Sequence, residues 1–133
     1  MKIEDQVLTI EQMNHLKEVG VEVKDTALCW AKWAILTAEN KWDDSYRVCF
    51  SDEDYKFSIP TLTIQEILEM LPEKIKINNQ EYDFHFSREA GGMYQVGYEN
   101  WRSCLVCNFG EIFMDVAYNM LCWCAERGYL NKE

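Results

Sequence analysis

Phe113-Met114-Asp115-Val116-Ala117-Tyr118-Asn119-Met120-Leu121-Cys122-Trp123-Cys124-Ala125-Glu126 is the stretch on which the reading of the fold turns. At about 100° per residue, Phe113, Val116, Ala117, Met120, Leu121 and Cys124 form one apolar stripe. Glu111, Asp115, Asn119 and Glu126 lie on the other side, and Gly128 ends the helix. A helix this one-sided must bury its stripe, and one face of a sheet is the surface it needs.

The segments before it supply that sheet. Leu28 to Leu36 is an apolar run containing β-prone Trp30, Trp33 and Ile35. Tyr46, Val48 and Phe50 alternate with Arg47 and Cys49, and the polar run Thr37 to Ser45 reads as the hairpin connection. Tyr82, Phe84 and Phe86 alternate with Asp83 and His85, after a turn at Asn78-Asn79. Gly91-Gly92 is a second turn, leading into Tyr94, Val96 and Tyr98, and Ser103 to Phe109 reads as a further strand. Antiparallel neighbours joined by short turns are the economical topology.

Two helix starts are written in nearly the same letters. Leu8-Thr9-Ile10-Glu11-Gln12-Met13 and Leu62-Thr63-Ile64-Gln65-Glu66-Ile67 each put Thr at the N-cap and Gln or Glu three residues later, a capping box. Leu8 and Leu62 each face an apolar residue, Met13 or Ile67, in the arrangement of a hydrophobic staple. The first helix is expected from Ile10 to about Val19, stopping at Gly20; the second from Ile64 to about Leu71, stopping at Pro72. Short β-prone pieces follow, Val21-Glu22-Val23 and Ile75-Lys76-Ile77. The whole is an α+β fold: an antiparallel sheet of about five strands, the C-terminal amphipathic helix on one face, and two short N-capped helices at the margins.

Length and charge bound the functions. The chain has 133 residues, the size of a single domain over 1–133. Its formal charge is −10, from 13 Lys and Arg against 23 Asp and Glu, which repels phosphate backbones and anionic membranes. No stretch approaches the roughly 20 apolar residues of a membrane span. The N-terminus has no apolar core of a secretory signal, so a cytoplasmic location is expected. Neither nucleic acid nor membrane is an expected partner; another protein is.

Six cysteines sit mostly within apolar patterns and read as reduced, space-filling residues. Cys104-x-x-Cys107 with Cys122-x-Cys124 invites a four-thiolate zinc site. Strand geometry sends residues three apart to opposite faces, and helix geometry separates residues two apart by about 200°, so both pairs should diverge. In this reading Cys122 lies on the polar side of the last helix. A thioredoxin-type redox pair would sit at a helix N-terminus, and these thiols come several residues earlier. No metal and no cofactor are therefore expected.

Catalytic constellations are equally thin. His15 reads as a surface residue and His85 as a residue pointing away from the core. No nucleophile elbow, Walker loop, dinucleotide glycine pattern or zinc-helix motif occurs. Asp43-Asp44 and Asp52-Glu53-Asp54 read as solvated turn residues, so no catalytic residue is assigned. The aromatic surplus is more telling, with five Trp in so small a chain. Trp42, beside Asp43-Asp44, and Trp101, after Glu99-Asn100, are the two candidates for an exposed partner-binding surface.

Leu8 to Met13, Pro60 to Pro72 and Asp115 to Cys124 together resemble a group of small uncharacterised proteins from phages and mobile elements of gut Bacteroidales. The resemblance implies a shared fold and carries no activity or functional residue. The leading expectation is a non-enzymatic phage or mobile-element accessory protein acting through protein–protein interaction. A small-ligand binder or enzyme, using His85 and a cysteine at the sheet, is the second. An acidic inhibitor of a nucleic-acid-binding protein is the third.

Overall fold

The computed structural model describes residues 2–32, 35–36, 38–43, 45–51 and 58–130, with the side chains at 35, 42 and 43 outside the description. The fold is α+β, with antiparallel sheets and helices, and it divides into two compact units, Met1–Thr63 and Ile64–Glu133.

The first unit begins with a 3-10 turn, Ile3–Gln6, followed by helix α1, Ile10–Glu18. Thr9 caps α1 as its spacing predicts: the Gln12 amide N–H donates to Thr9 Oγ1 at 3.1 Å, and the Thr9 N–H donates to Gln12 Oε1 at 2.9 Å. Leu8 and Met13 are both buried on either side of this cap. Val19 closes the helix and Gly20 takes φ 89°, the left-handed conformation that glycine adopts without strain. Val21-Glu22-Val23 forms no strand.

Strand β1, Leu28–Lys32, is the centre of a three-stranded antiparallel sheet, between β4, Tyr46–Phe50, and β5, Ser58–Thr61. Its central place suits its letters, because Leu28, Cys29 and Ala31 are buried. The indole of Trp30 and the hydroxyl of Thr61 both donate to the carbonyl of Leu8, each at 2.8 Å. That shared acceptor fixes the entry to α1 against the sheet. Strand β5 has no counterpart among the strands expected from the sequence. Pro60 cannot donate to a ladder, which demotes a run in sequence terms, yet an edge position tolerates it. The polar connection Thr37 to Ser45 also contains a short strand, β3, Trp42–Asp43, which pairs with β2, Ile35–Leu36, at the end of the preceding apolar run.

The second unit opens with helix α2, Ile64–Met70, and continues as a four-stranded antiparallel meander. Its strands are β6, Lys74–Ile77; β7, Gln80–Arg88; β8, Tyr94–Glu99; and β9, Cys104–Gly110. Asn78 and Asn79 both take positive φ, 51° and 66°, so the β6–β7 connection is the two-residue hairpin turn for which Asn is favoured. Helix α3, Phe113–Glu126, packs on β8 and β9 and against α2. Val116, Ala117, Met120, Leu121 and Cys124 of its stripe are all buried.

The expected single sheet of about five strands is thus replaced by a three-stranded and a four-stranded sheet with an additional two-stranded ladder. The expected β segments other than Val21-Glu22-Val23 recur as strands, with Leu28 to Leu36 contributing both β1 and β2, but pairing distributes them between units, and pairing is non-local information. Cys122 also departs from expectation. It is buried, its thiol lying against the Tyr118 hydroxyl one helical turn earlier.

Candidate functional site

The two faces of the four-stranded sheet differ in kind. Val96 and Tyr98 of β8 are fully buried, and Phe84 of β7 meets the Tyr98 ring edge-on at 5.6 Å. Alternate residues point the other way. Register therefore sets Asp83, His85 and Ser87 of β7 beside Glu99, Gly97 and Gln95 of β8 on the opposite face. His85 is where the sequence placed it, with Nδ1 at 3.6 Å from Glu99 Oε1. Lys74 and Lys76 of β6 extend this face and pair with Glu81, and Lys74 also with Asp83. The ammonium groups of Lys76 and Lys74 hold the Glu81 carboxyl below its ordinary range.

Strand β9 brings the surprise. Cys107 pairs with Gly97 and Val106 with Tyr98, but Glu99 then pairs with Cys104, because the register slips between Tyr98 and Glu99. Leu105 is the extra residue of a β-bulge. A regular strand would put Cys104 and Cys107 on opposite faces about 10 Å apart along the chain; the bulge absorbs one residue and returns both to one face. Their sulfurs are 2.7 Å apart as free thiols. The expectation that they diverge is therefore corrected.

Neighbouring residues accommodate the pair. A Cβ built on Gly97 would collide with the Val106 backbone carbonyl and come within 2.8 Å of Cys107 Sγ, so glycine permits both the close approach of β9 and the position of that sulfur. Gln95 Nε2 donates to Cys107 Sγ at 3.1 Å. Cys104 is exposed and Cys107 half-buried. The Cys104 thiol is pushed up to about 11, by desolvation first, then by its hydrogen bond and charge coupling with Cys107, with the Glu99 carboxylate adding. Among the described residues, no group of three or more His, Cys, Asp or Glu is arranged to hold a metal ion. Cys122 and Cys124 are held apart from this face on α3, and burial raises both their thiols. The sequence signal for the thiol pair was present in two halves, a Cys-x-x-Cys and a glycine inside the adjacent strand, but only the register joins them.

The turn between β8 and β9 carries Trp101. Asn100 builds it: its Oδ1 accepts from the backbone N–H groups of Arg102 and Ser103, both at 2.9 Å, and its own N–H donates to the Ser103 carbonyl at 2.9 Å. Asn100 Nδ2 reaches back to the Glu81 carbonyl at 3.2 Å, tying the turn to β7. On this braced turn Trp101 is 85% exposed, with the Arg102 guanidinium 4.5 Å from the ring centroid. Trp42 lies in β3, and its side chain is outside the described residues, as are Asp44 and Asp52-Glu53-Asp54.

At the other end of the same unit Phe113 stacks against Tyr94 at 5.1 Å and Phe86 at 5.6 Å, and Phe86, Phe109 and Ile112 are exposed. The first unit has an open groove of about 580 Å³ lined by Met13, Lys17, Val21, Lys24, Ile59 and Pro60 among others. No described helix is long and apolar enough to cross a membrane. Comparison with family models, with curated proteins and with solved structures finds no match to this chain.

Proposed function

We propose that the protein is a non-enzymatic accessory protein that acts by binding another protein, with Trp101 as the anchor of its contact surface. The observation that carries this reading is the presentation of Trp101: an indole 85% exposed on a turn held by Asn100 through backbone hydrogen bonds. Tryptophan is enriched among the residues that dominate binding energy, and this one is held out on a fixed turn rather than packed. A braced turn also lowers the ordering entropy that binding must overcome. Arg102, seated on the ring, adds a second residue type favoured at such centres. The formal charge of −10 favours a basic partner surface. The phage or mobile-element setting rests on the resemblance of the helical segments alone.

The test compares wild-type protein with Trp101→Ala as bait in a lysate of the source cells, after confirming equal folding by circular dichroism. Retention of a defined protein should fall at least about tenfold in the variant, as loss of a hot-spot residue requires. Equal retention by both baits would remove Trp101 from the role.

A second reading, a ligand-binding or catalytic face, is favoured by one observation. His85, Glu99, Gln95, Cys104 and Cys107 share one half-buried face around the side-chain-free Gly97. The third, an acidic mimic of nucleic acid, gains little from this face, where Lys74 and Lys76 offset Glu81 and Asp83.

A further inference from the structure

We propose that Cys104 and Cys107 form a thiol–disulfide exchange site, a dithiol that closes reversibly to an intrachain disulfide on reaction with a low-molecular-weight disulfide. The geometry carries the proposal independently of any partner at Trp101. The two sulfurs already sit 2.7 Å apart, and a small torsional adjustment brings them to the roughly 2.05 Å of a bond. Their closeness is built by non-local structure: the bulge at Leu105 turns both onto one face, Gly97 gives Cys107 Sγ its space, and Gln95 Nε2 holds that sulfur by a hydrogen bond. Strand β9 lies at the edge of its sheet, so the bulge can adjust without breaking a second ladder.

The location suits exchange better than structural bracing. Cys104 is exposed to an incoming reagent, whereas Cys29, Cys122 and Cys124 are buried. The ring closed by residues 104–107 is also very short, and the restraint a disulfide imposes on the unfolded chain grows with loop length. A cross-link here does little for the fold.

The chemistry balances. Cys104 loses its proton to water, and its thiolate attacks one sulfur of the reagent RSSR. A Cys104–S–S–R bond forms, the RS–SR bond breaks, and RS⁻ leaves to take up a proton. Cys107 then loses its proton and attacks Cys104 Sγ. The Cys104–Cys107 bond forms, the bond to SR breaks, and the second RS⁻ is protonated. Two protein thiols are oxidised to one disulfide, and one small disulfide is reduced to two thiols.

The test equilibrates reduced, folded protein in buffers of stepped reduced-to-oxidised glutathione ratio. Samples are acid-quenched, alkylated under denaturing conditions and mapped by peptide mass spectrometry. The expected result is a fully reversible loss of alkylation at Cys104 and Cys107 together, through a peptide bearing their disulfide, while the other four cysteines still alkylate. Cys107→Ser, a near-isosteric change, should instead accumulate glutathione on Cys104, since the resolving thiol is gone. Phenylarsine oxide should protect both thiols of the wild type from alkylation and neither single Ser variant. The proposal is overturned if Cys104 and Cys107 stay reduced across the range. It is equally overturned if Cys29, which faces Cys49 across β1 and β4, oxidises with Cys49 in their place, or if wild type and Cys107→Ser accumulate the same mixed disulfide.

Discussion

The hydroxyl of Tyr98 donates a 2.7 Å hydrogen bond to the carbonyl of Pro72, deep in the second unit. Tyr98 is fully buried in β8, and Pro72 lies two residues past the end of α2. A central strand and a helix terminus are thus joined by one bond whose acceptor is cut off from water.

Replacing Tyr98 by Phe keeps the ring and removes the donor. The Pro72 carbonyl is then left buried without that partner, a loss of about 1–3 kcal/mol. Urea unfolding should show the lower midpoint with an unchanged slope.

The same residue makes stability fall at alkaline pH. Burial, and then the neighbouring Cys124 thiol, push the Tyr98 phenol well above its ordinary value. Because the folded-state pKa is raised, the contribution is complete below the unfolded value of about 10 and is lost as pH climbs above it. Unfolding free energy measured between about pH 9 and 12 should therefore decline more steeply in the wild type than in Tyr98→Phe. Parallel profiles would contradict the assignment.

At the start of α1, Thr9→Ala should cost about 1 kcal/mol, because the Gln12 amide loses its only described side-chain acceptor. Thr9→Ser retains a hydroxyl and should recover most of it. Chemical denaturation of the two variants side by side makes the comparison.

Trp101 and Asn100 are neighbours with opposite expected roles in stability. Trp101→Ala should move the unfolding free energy by no more than about 0.5 kcal/mol, as an exposed residue does. Asn100→Ala removes an acceptor shared by two backbone N–H groups and should cost about 1–2 kcal/mol. A thermal melt that ranks them the other way would show that the indole stabilises the turn itself.

Alkylation of native protein by iodoacetamide should follow the ionisation of Cys104. With that thiol pushed up to about 11, its rate should rise roughly tenfold per pH unit between about pH 7 and 10. Cys122 and Cys124, raised by burial and closed to reagent, should stay unmodified until the protein unfolds. Peptide mapping at each pH distinguishes them.

Much of the local architecture was legible in the letters. The Thr9–Gln12 box, the stripe from Val116 to Cys124, the Asn78-Asn79 turn and the alternation around His85 all concern residues a few positions apart. Their physics is local: a hydroxyl finds an amide three residues on, and apolar side chains recur with the helix period. Tertiary structure decided the rest. It divided the described strands among a three-stranded sheet, a four-stranded sheet and a two-stranded ladder, allowed Pro60 its strand by placing it at an edge, and covered Cys122. Above all it put Cys104 beside Cys107. Strand periodicity alone sends them apart, and only the pairing of β9 with β8, around Gly97 and the slip at Glu99, turns them to the same face. Register is a property of two chain segments at once, so no reading of either segment by itself contains it.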